Sequence, residues 1–307
     1  MKMLGTTSRF SKICKLTLIL SSVIVAFGQP KLGTAPGTMI NVGDHNLHIN
    51  CVGPRNAKPI VVFEAGGGAF SKDWTTVQGI LASRVRSCAY DRAGLGWSDP
   101  GPAPRTLRQE VFELHILLHA ARVSVPIVLV GQSLGALNVR LYTQEYGGEV
   151  AGVVLVDPAD ESSLLFSTTA NQWMKLRDQA KSRVVPEPRL TGPPSSGYNP
   201  DEDYLGDEAR LLYIKRQKNP EPLGDRPLFV LAAGKRPSPP GMSEEAYRDI
   251  RRAIDNDRRE AAHLSHNSKF LLDANSGHDI QIDDPKAVAE AVEEVVVAVK
   301  NHTRLIP

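Results

Sequence analysis

The sequence predicts an α/β protein: a mostly parallel central sheet flanked by helices, with a helical or irregular cap inserted after the strand expected at 153–156. Three observations carry that expectation. From Thr38 onward, short apolar runs alternate with longer helical patterns, the order that builds parallel strands joined by crossover helices. Several runs, such as 127–130 and 153–156, are Val/Ile/Leu stretches without polar alternation, as strands buried on both faces require. One segment, 161–226, is far longer than an ordinary crossover and has a Pro/Gly-rich middle at 186–200, which marks a lid or binding insertion.

The amino-terminal segment stands apart from this rhythm. Lys2, Arg9, Lys12 and Lys15 precede an apolar run at 16–27, and no acidic residue occurs before Asp44. A basic start, a short apolar stretch and the small residues Ala26 and Gly28 have the layout of an export signal. Residues 1–28 are therefore expected to be a cleaved signal peptide, leaving a secreted or periplasmic chain. The run is shorter than the roughly 20 residues a spanning helix needs, so no stable membrane anchor is expected after cleavage. A buried helix or an uncleaved anchor is the alternative. Losing this segment removes four of the 36 basic residues and none of the 34 acidic ones, turning a formal charge of +2 into −2. The slight basicity thus belongs to the signal. No basic block suggests a nucleic-acid partner, and a 41% hydrophobic content excludes a disordered chain.

Strands are expected at 47–52, 60–64, 85–90, 127–130, 153–156, 228–232 and 270–272. Helices are expected at 107–121, 134–146, 244–264 and 285–299, the last with Pro285 at its first position. The core then comprises 29–160 and 227–307, and the cap 161–226. Within the cap, Leu164, Leu165, Phe166, Trp173, Tyr204, Leu211, Leu212 and Tyr213 supply the apolar surface for a small helical layer; a loose surface excursion is the alternative.

The strongest local signal is a strand running into Gly131-Gln-Ser133-Leu-Gly135 and then a helix. A serine on so sharp a turn needs neighbours without side chains two residues either side, which Gly131 and Gly135 provide. Ser133 is the candidate nucleophile, against an incidental Gly-rich turn. A serine hydroxyl needs an adjacent base, and His278, after the last strand in Asn275-Ser-Gly-His-Asp279, is the best placed. His45, His48, His263, His266 and His302 compete poorly. His115 and His119 lie at i, i+4 on one helix face, a metal-ligand spacing, but without an HExxH glutamate a solvated or packed face is the plainer reading. No metal is expected.

The order of strand, Gly-Gly loop, Asp91-Arg-Ala-Gly-Leu-Gly-Trp-Ser98, Gly-x-Ser-x-Gly, Leu155-Val-Asp-Pro158, insertion and Gly277-His278 resembles the α/β-hydrolase superfamily, specifically its capped serine hydrolases. The resemblance implies that the 91–99 loop shapes the site. It also implies that the amides of Gly67, in Glu64-Ala-Gly-Gly-Gly68, and of Leu134 form an oxyanion hole. Gly-Gly-Gly without a following Lys-Ser/Thr argues against a nucleotide loop. The acid often follows the seventh strand in such proteins, but here that place reads Leu231-Ala-Ala-Gly-Lys-Arg-Pro237. Asp157, after the sixth strand, is the preferred acid, with Asp160, Glu161, Glu244 and Asp249 as substitutes. The implied fold makes the strands of Cys51 and Cys88 neighbours, so export favours a disulfide between them over two buried thiols; Cys14 lies in the signal.

These features predict a cofactor-independent hydrolase of a small or medium organic ester, acting through an acyl-enzyme. An amidase or aminopeptidase is the runner-up, with Asp201, Glu202 and Asp203 available to hold an amine. A non-catalytic binding protein on the same fold is the reading from a different class.

Overall fold

The apolar runs become one eight-stranded sheet in a computed structural model that describes residues 33–102, 105–161, 207–238 and 243–306. In chain order the strands are β1 (Thr38–Asn41), β2 (Asn46–Val52), β3 (Ile60–Glu64), β4 (Ser87–Tyr90), β5 (Ile127–Gln132), β6 (Val150–Val156), β7 (Leu228–Ala233) and β8 (Ser268–Asp273). The described helices are α1 (Thr75–Leu81), α2 (Leu107–Ala120), α3 (Gly135–Glu145), α4 (Asp207–Lys218), α5 (Glu244–Glu260), α6 (Ile280–Asp283) and α7 (Pro285–Asn301).

The strand order is β1-β2-β4-β3-β5-β6-β7-β8, antiparallel where β2 meets β1 and β4 and parallel everywhere else. Alternate residues of the central strands feed two cores, one on each face. Val62, Leu129, Leu155 and Val230 pack with α2 and α3, while Phe63, Val130, Val156 and Leu231 pack with α1 and α7. Burial of each such side chain contributes about 1.5–3 kcal/mol, which is why these strands read as unbroken apolar runs. Two helix starts are capped by side chains: Thr106 Oγ1 accepts from Gln109 N–H, and Asp284 Oδ1 accepts from Ala287 N–H beside Pro285, which takes the first helical position as expected.

Several boundaries differ from expectation for identifiable reasons. β4 begins at Ser87 because the Val85 N–H closes on Leu81 O at the end of α1. The expected 244–264 helix is α5 followed by a 3-10 turn, Ala261–Leu264. Of the expected cap, residues 162–206 lie outside the described residues. Its described end includes α4, whose Leu212 is fully buried in the core shared with α2 and α3.

Cys51 and Cys88 stand directly opposite each other across β2 and β4 and are joined in a disulfide. Their Cα atoms are 4.0 Å apart, closer than the roughly 5.5 Å expected, because facing residues of antiparallel strands approach more tightly than typical bonded cysteines. Among the described residues no helix is long and apolar enough to cross a membrane.

Candidate active site

β3 and β5 are parallel neighbours whose chain continuations diverge, one leading towards β4 and the other towards β6. The crevice at the carboxyl ends of such strands is where open α/β sheets bind ligands, and both glycine loops open there. Ser133 occupies the turn from β5 into α3 with φ +50°, a strained value for a residue with a side chain. The end of β6 holds it: the Ser133 N–H donates to Val156 O at 3.0 Å, and the Ala159 N–H donates to Ser133 O at 2.9 Å. A Cβ on Gly131 would lie 2.5 Å from Gly135 O, and one on Gly135 would lie 2.6 Å from the carbonyls of Glu64 and Ala65. Both flanking glycines are therefore required by backbone contact.

The loop after β8 brings His278 to this turn. Its Nε2 is 2.8 Å from Ser133 Oγ, and its Nδ1 is 2.5 Å from Asp157 Oδ2. Asp157 is fully buried, whereas the imidazole is half exposed. Asp157 Oδ1 also accepts from the Ala233 N–H at 3.1 Å, from Arg258 Nε at 3.3 Å and from Arg236 Nη2. Burial alone would favour the neutral acid. The His278 hydrogen bond, the Arg258 charge and the hydrogen bond and charge of Arg236 outweigh it, holding the carboxyl well below its usual range.

The substitute acids go elsewhere. Asp160 pairs with Arg216 at 2.8 Å, Glu161 with Arg140, and the exposed Glu244 with Arg251. The Asp249 side chain lies outside the described residues. His45 sits between Asp44 and Glu113, His48 against Asp91, and His266 against Glu221.

Buried polar side chains tie the loops around the serine turn together. Gln132, buried behind the elbow, donates to His278 O at 3.2 Å and so ties the serine turn to the histidine loop. Arg92 forks onto the glycine loop, donating to Ala65 O at 2.7 Å and Gly66 O at 2.6 Å, and pairs with buried Glu64. Glu64 also accepts from Tyr90 and from Asn138, which in turn donates to Glu110 at 2.9 Å. Burial pushes the Glu110 carboxyl up to about 7 despite the pull of Arg92 and Arg105. Gly66 backs onto the elbow so closely that a Cβ there would meet Gln132 Oε1 at 2.1 Å and Ser133 Cβ at 3.3 Å. Gly67, next along, is exposed, and Leu134 follows the serine into α3. Asp91 anchors the 91–99 loop by accepting from the N–H groups of Ser71 and Trp97.

A parallel sheet with diverging loops, and a serine, histidine and aspartate in hydrogen-bonded sequence at its carboxyl end, define an enzyme of the hydrolase class. The chain belongs to the alpha/beta hydrolase family, whose model matches residues 61–291. It is 29% identical to Bacillus subtilis YqjL over 235 residues, covering 76% of this chain and 82% of that protein. Its fold matches a thermophilic esterase from Thermogutta terrifontis (TM-score 0.55, 17% identity, covering 85% of this chain and 98% of that one). It also matches the enol-lactonase from Burkholderia xenovorans LB400 (TM-score 0.56, 14% identity, covering 84% and 99%).

Proposed function

We propose that the protein is a serine hydrolase that cleaves a carboxylic ester of a small or medium organic substrate through an acyl-enzyme. The observation that carries this reading is the continuous chain from Ser133 Oγ through His278 to buried Asp157. His278 takes the Ser133 proton as Oγ attacks the ester carbonyl, and the amides of Gly67 and Leu134 receive the oxyanion. As the tetrahedral intermediate collapses, His278 gives that proton to the leaving alkoxide. Water then attacks the acyl-enzyme with His278 again as base, releasing the acid and restoring Ser133. Asp157 keeps the imidazole in one orientation and stabilises its charged form. No step calls for a cofactor. We also assign residues 161–226 the role of a cap, on the length and Pro/Gly-rich middle of that segment.

The basic-then-apolar start of the chain and the Cys51–Cys88 bond support a secreted or periplasmic location after removal of residues 1–28. The names of the matched esterase and enol-lactonase accord with ester chemistry, a lactone being an internal ester. A panel of p-nitrophenyl esters of increasing acyl length, assayed beside aminoacyl anilides, tests the substrate class. Ester turnover that disappears in Ser133→Ala is expected; turnover of the anilides alone would replace the ester reading with the amidase one.

A further inference from the structure

The amino-terminal end of the sheet carries a second cluster of chemically capable side chains. His115 and His119 stand one turn apart on α2, and the 3-10 turn Gly147–Glu149, between α3 and β6, presses Glu149 against both. His115 Nδ1 is 3.4 Å and His119 Nε2 3.0 Å from the same oxygen, Glu149 Oε1. The donor atoms of the three residues all lie within 4.8 Å of one another.

We propose that His115, His119 and Glu149 form a binding site for a divalent transition-metal ion, with zinc the best match and water completing the coordination. Zinc bonds to imidazole nitrogen and carboxylate oxygen are about 2.0–2.2 Å long, which sets neighbouring ligands of a tetrahedron about 3.3 Å apart. The two contacts to Glu149 bracket that edge, and the third edge, between the two imidazoles, lies within 4.8 Å. Two imidazoles and one carboxylate select zinc, cobalt, nickel or copper over magnesium and calcium, which prefer oxygen ligands.

The surroundings orient two of the three ligands. The Tyr142 hydroxyl donates to Glu149 Oε2 at 2.5 Å, leaving Oε1 turned towards the imidazoles. A hydrogen bond of this kind is how proteins aim a metal-binding carboxylate. The His115 ring lies flat on Tyr146, with centroids 3.9 Å apart and planes 5° from parallel, which fixes its plane. His119 is the most exposed of the three, leaving room for a water ligand.

Glu149 immediately precedes β6, and Asp157 follows the other end of that seven-residue strand. At about 3.3 Å per residue the two ends of this stretch, and with them the cluster and the serine turn, are about 25 Å apart. An ion there takes no part in hydrolysis; it staples α2 to the α3–β6 connection.

Calorimetric titration of the untagged, chelator-stripped protein with zinc chloride tests this, together with thermal melts in the presence and absence of the metal. The expected result is one zinc per chain with micromolar or tighter Kd and a raised Tm. Loss of at least tenfold in affinity, and of the Tm increase, is expected in His119→Ala and in the milder His115→Gln. Cobalt in place of zinc should give the visible absorption of a tetrahedral Co(II) centre. Absence of binding, or an affinity and Tm shift retained in both variants, would overturn the proposal. His302→Ala, an exposed histidine elsewhere, should behave as the parent; loss of binding there would equally contradict it.

Discussion

Arg236 grips both oxygens of Asp157, with Nη1 donating to Oδ2 at 3.3 Å and Nη2 donating to Oδ1. The loop after β7 thus supplies a guanidinium, and the acid it clamps comes from the end of β6. The two residues should differ sharply on mutation. Asp157→Asn removes the anion behind His278 and should lower kcat about a thousandfold to ten-thousandfold. Arg236→Ala leaves Asp157 with His278, Arg258 and the Ala233 N–H, and should stay within about tenfold of the parent at neutral pH. Steady-state ester hydrolysis by both variants checks this; equal losses would mean that the Arg236 clamp alone holds Asp157 in its working position.

Arg92→Lys tests the hold on the glycine loop. Lysine keeps a positive charge beside Glu64 but cannot fork onto two carbonyls, so Ala65 and Gly66 lose a fixed partner. Because sub-ångström placement of oxyanion donors matters, kcat should fall about tenfold to a hundredfold with little change in KM. A rise in KM at unchanged kcat would assign Arg92 to substrate binding instead.

Acid stability should depend on Glu161. Burial opposes its charge, but the charge and hydrogen bonds of Arg140 and the charge of Arg216 hold its carboxyl down at about 2. A carboxyl lowered on folding stabilises the native state above its unfolded pKa of about 4.3, and that contribution is lost as pH falls towards about 2. Urea unfolding from pH 6 to pH 2 should show this decline. Glu161→Gln should flatten it, and at neutral pH should cost about 3–5 kcal/mol because Arg140 is left buried without its anion. A parallel decline in parent and variant would place the acid sensitivity elsewhere.

The disulfide closes a loop of 37 residues. Chain-entropy arguments give such a cross-link about 4 kcal/mol of stability as an upper figure. The double variant Cys51→Ser, Cys88→Ser should therefore melt well below the parent, and alkylation of the denatured, unreduced parent should find neither thiol. Two alkylatable thiols would contradict the bond.

The serine turn was readable from the chain because its local backbone geometry constrains the residues on both sides. Ser133 betrayed itself because its turn brings Gly131 and Gly135 into contact with backbone atoms, leaving a five-residue signature. The buried strands declared themselves as apolar runs. β1 did not, since it is a four-residue, mostly exposed edge strand with no burial pattern to print on its sequence. α1 also escaped: Thr75-Thr-Val-Gln-Gly79 favours helix weakly, and its formation rests on burying Trp74, Val77 and Leu81 against the sheet. The arginine partners of Asp157 lie 79 and 101 residues away, so no local pattern could announce them. Gln132 was visible at the elbow, but its bond to a carbonyl 146 residues later was not.

The covalent step is the most direct point of attack. The protein treated with a fluorophosphonate should gain the mass of one phosphonyl group, and digestion should place it on the peptide containing Ser133. Ser133→Ala, folded as the parent, should take up none. A folded parent that remains unmodified, or a label that persists in Ser133→Ala, would contradict the assignment of Ser133 as the nucleophile.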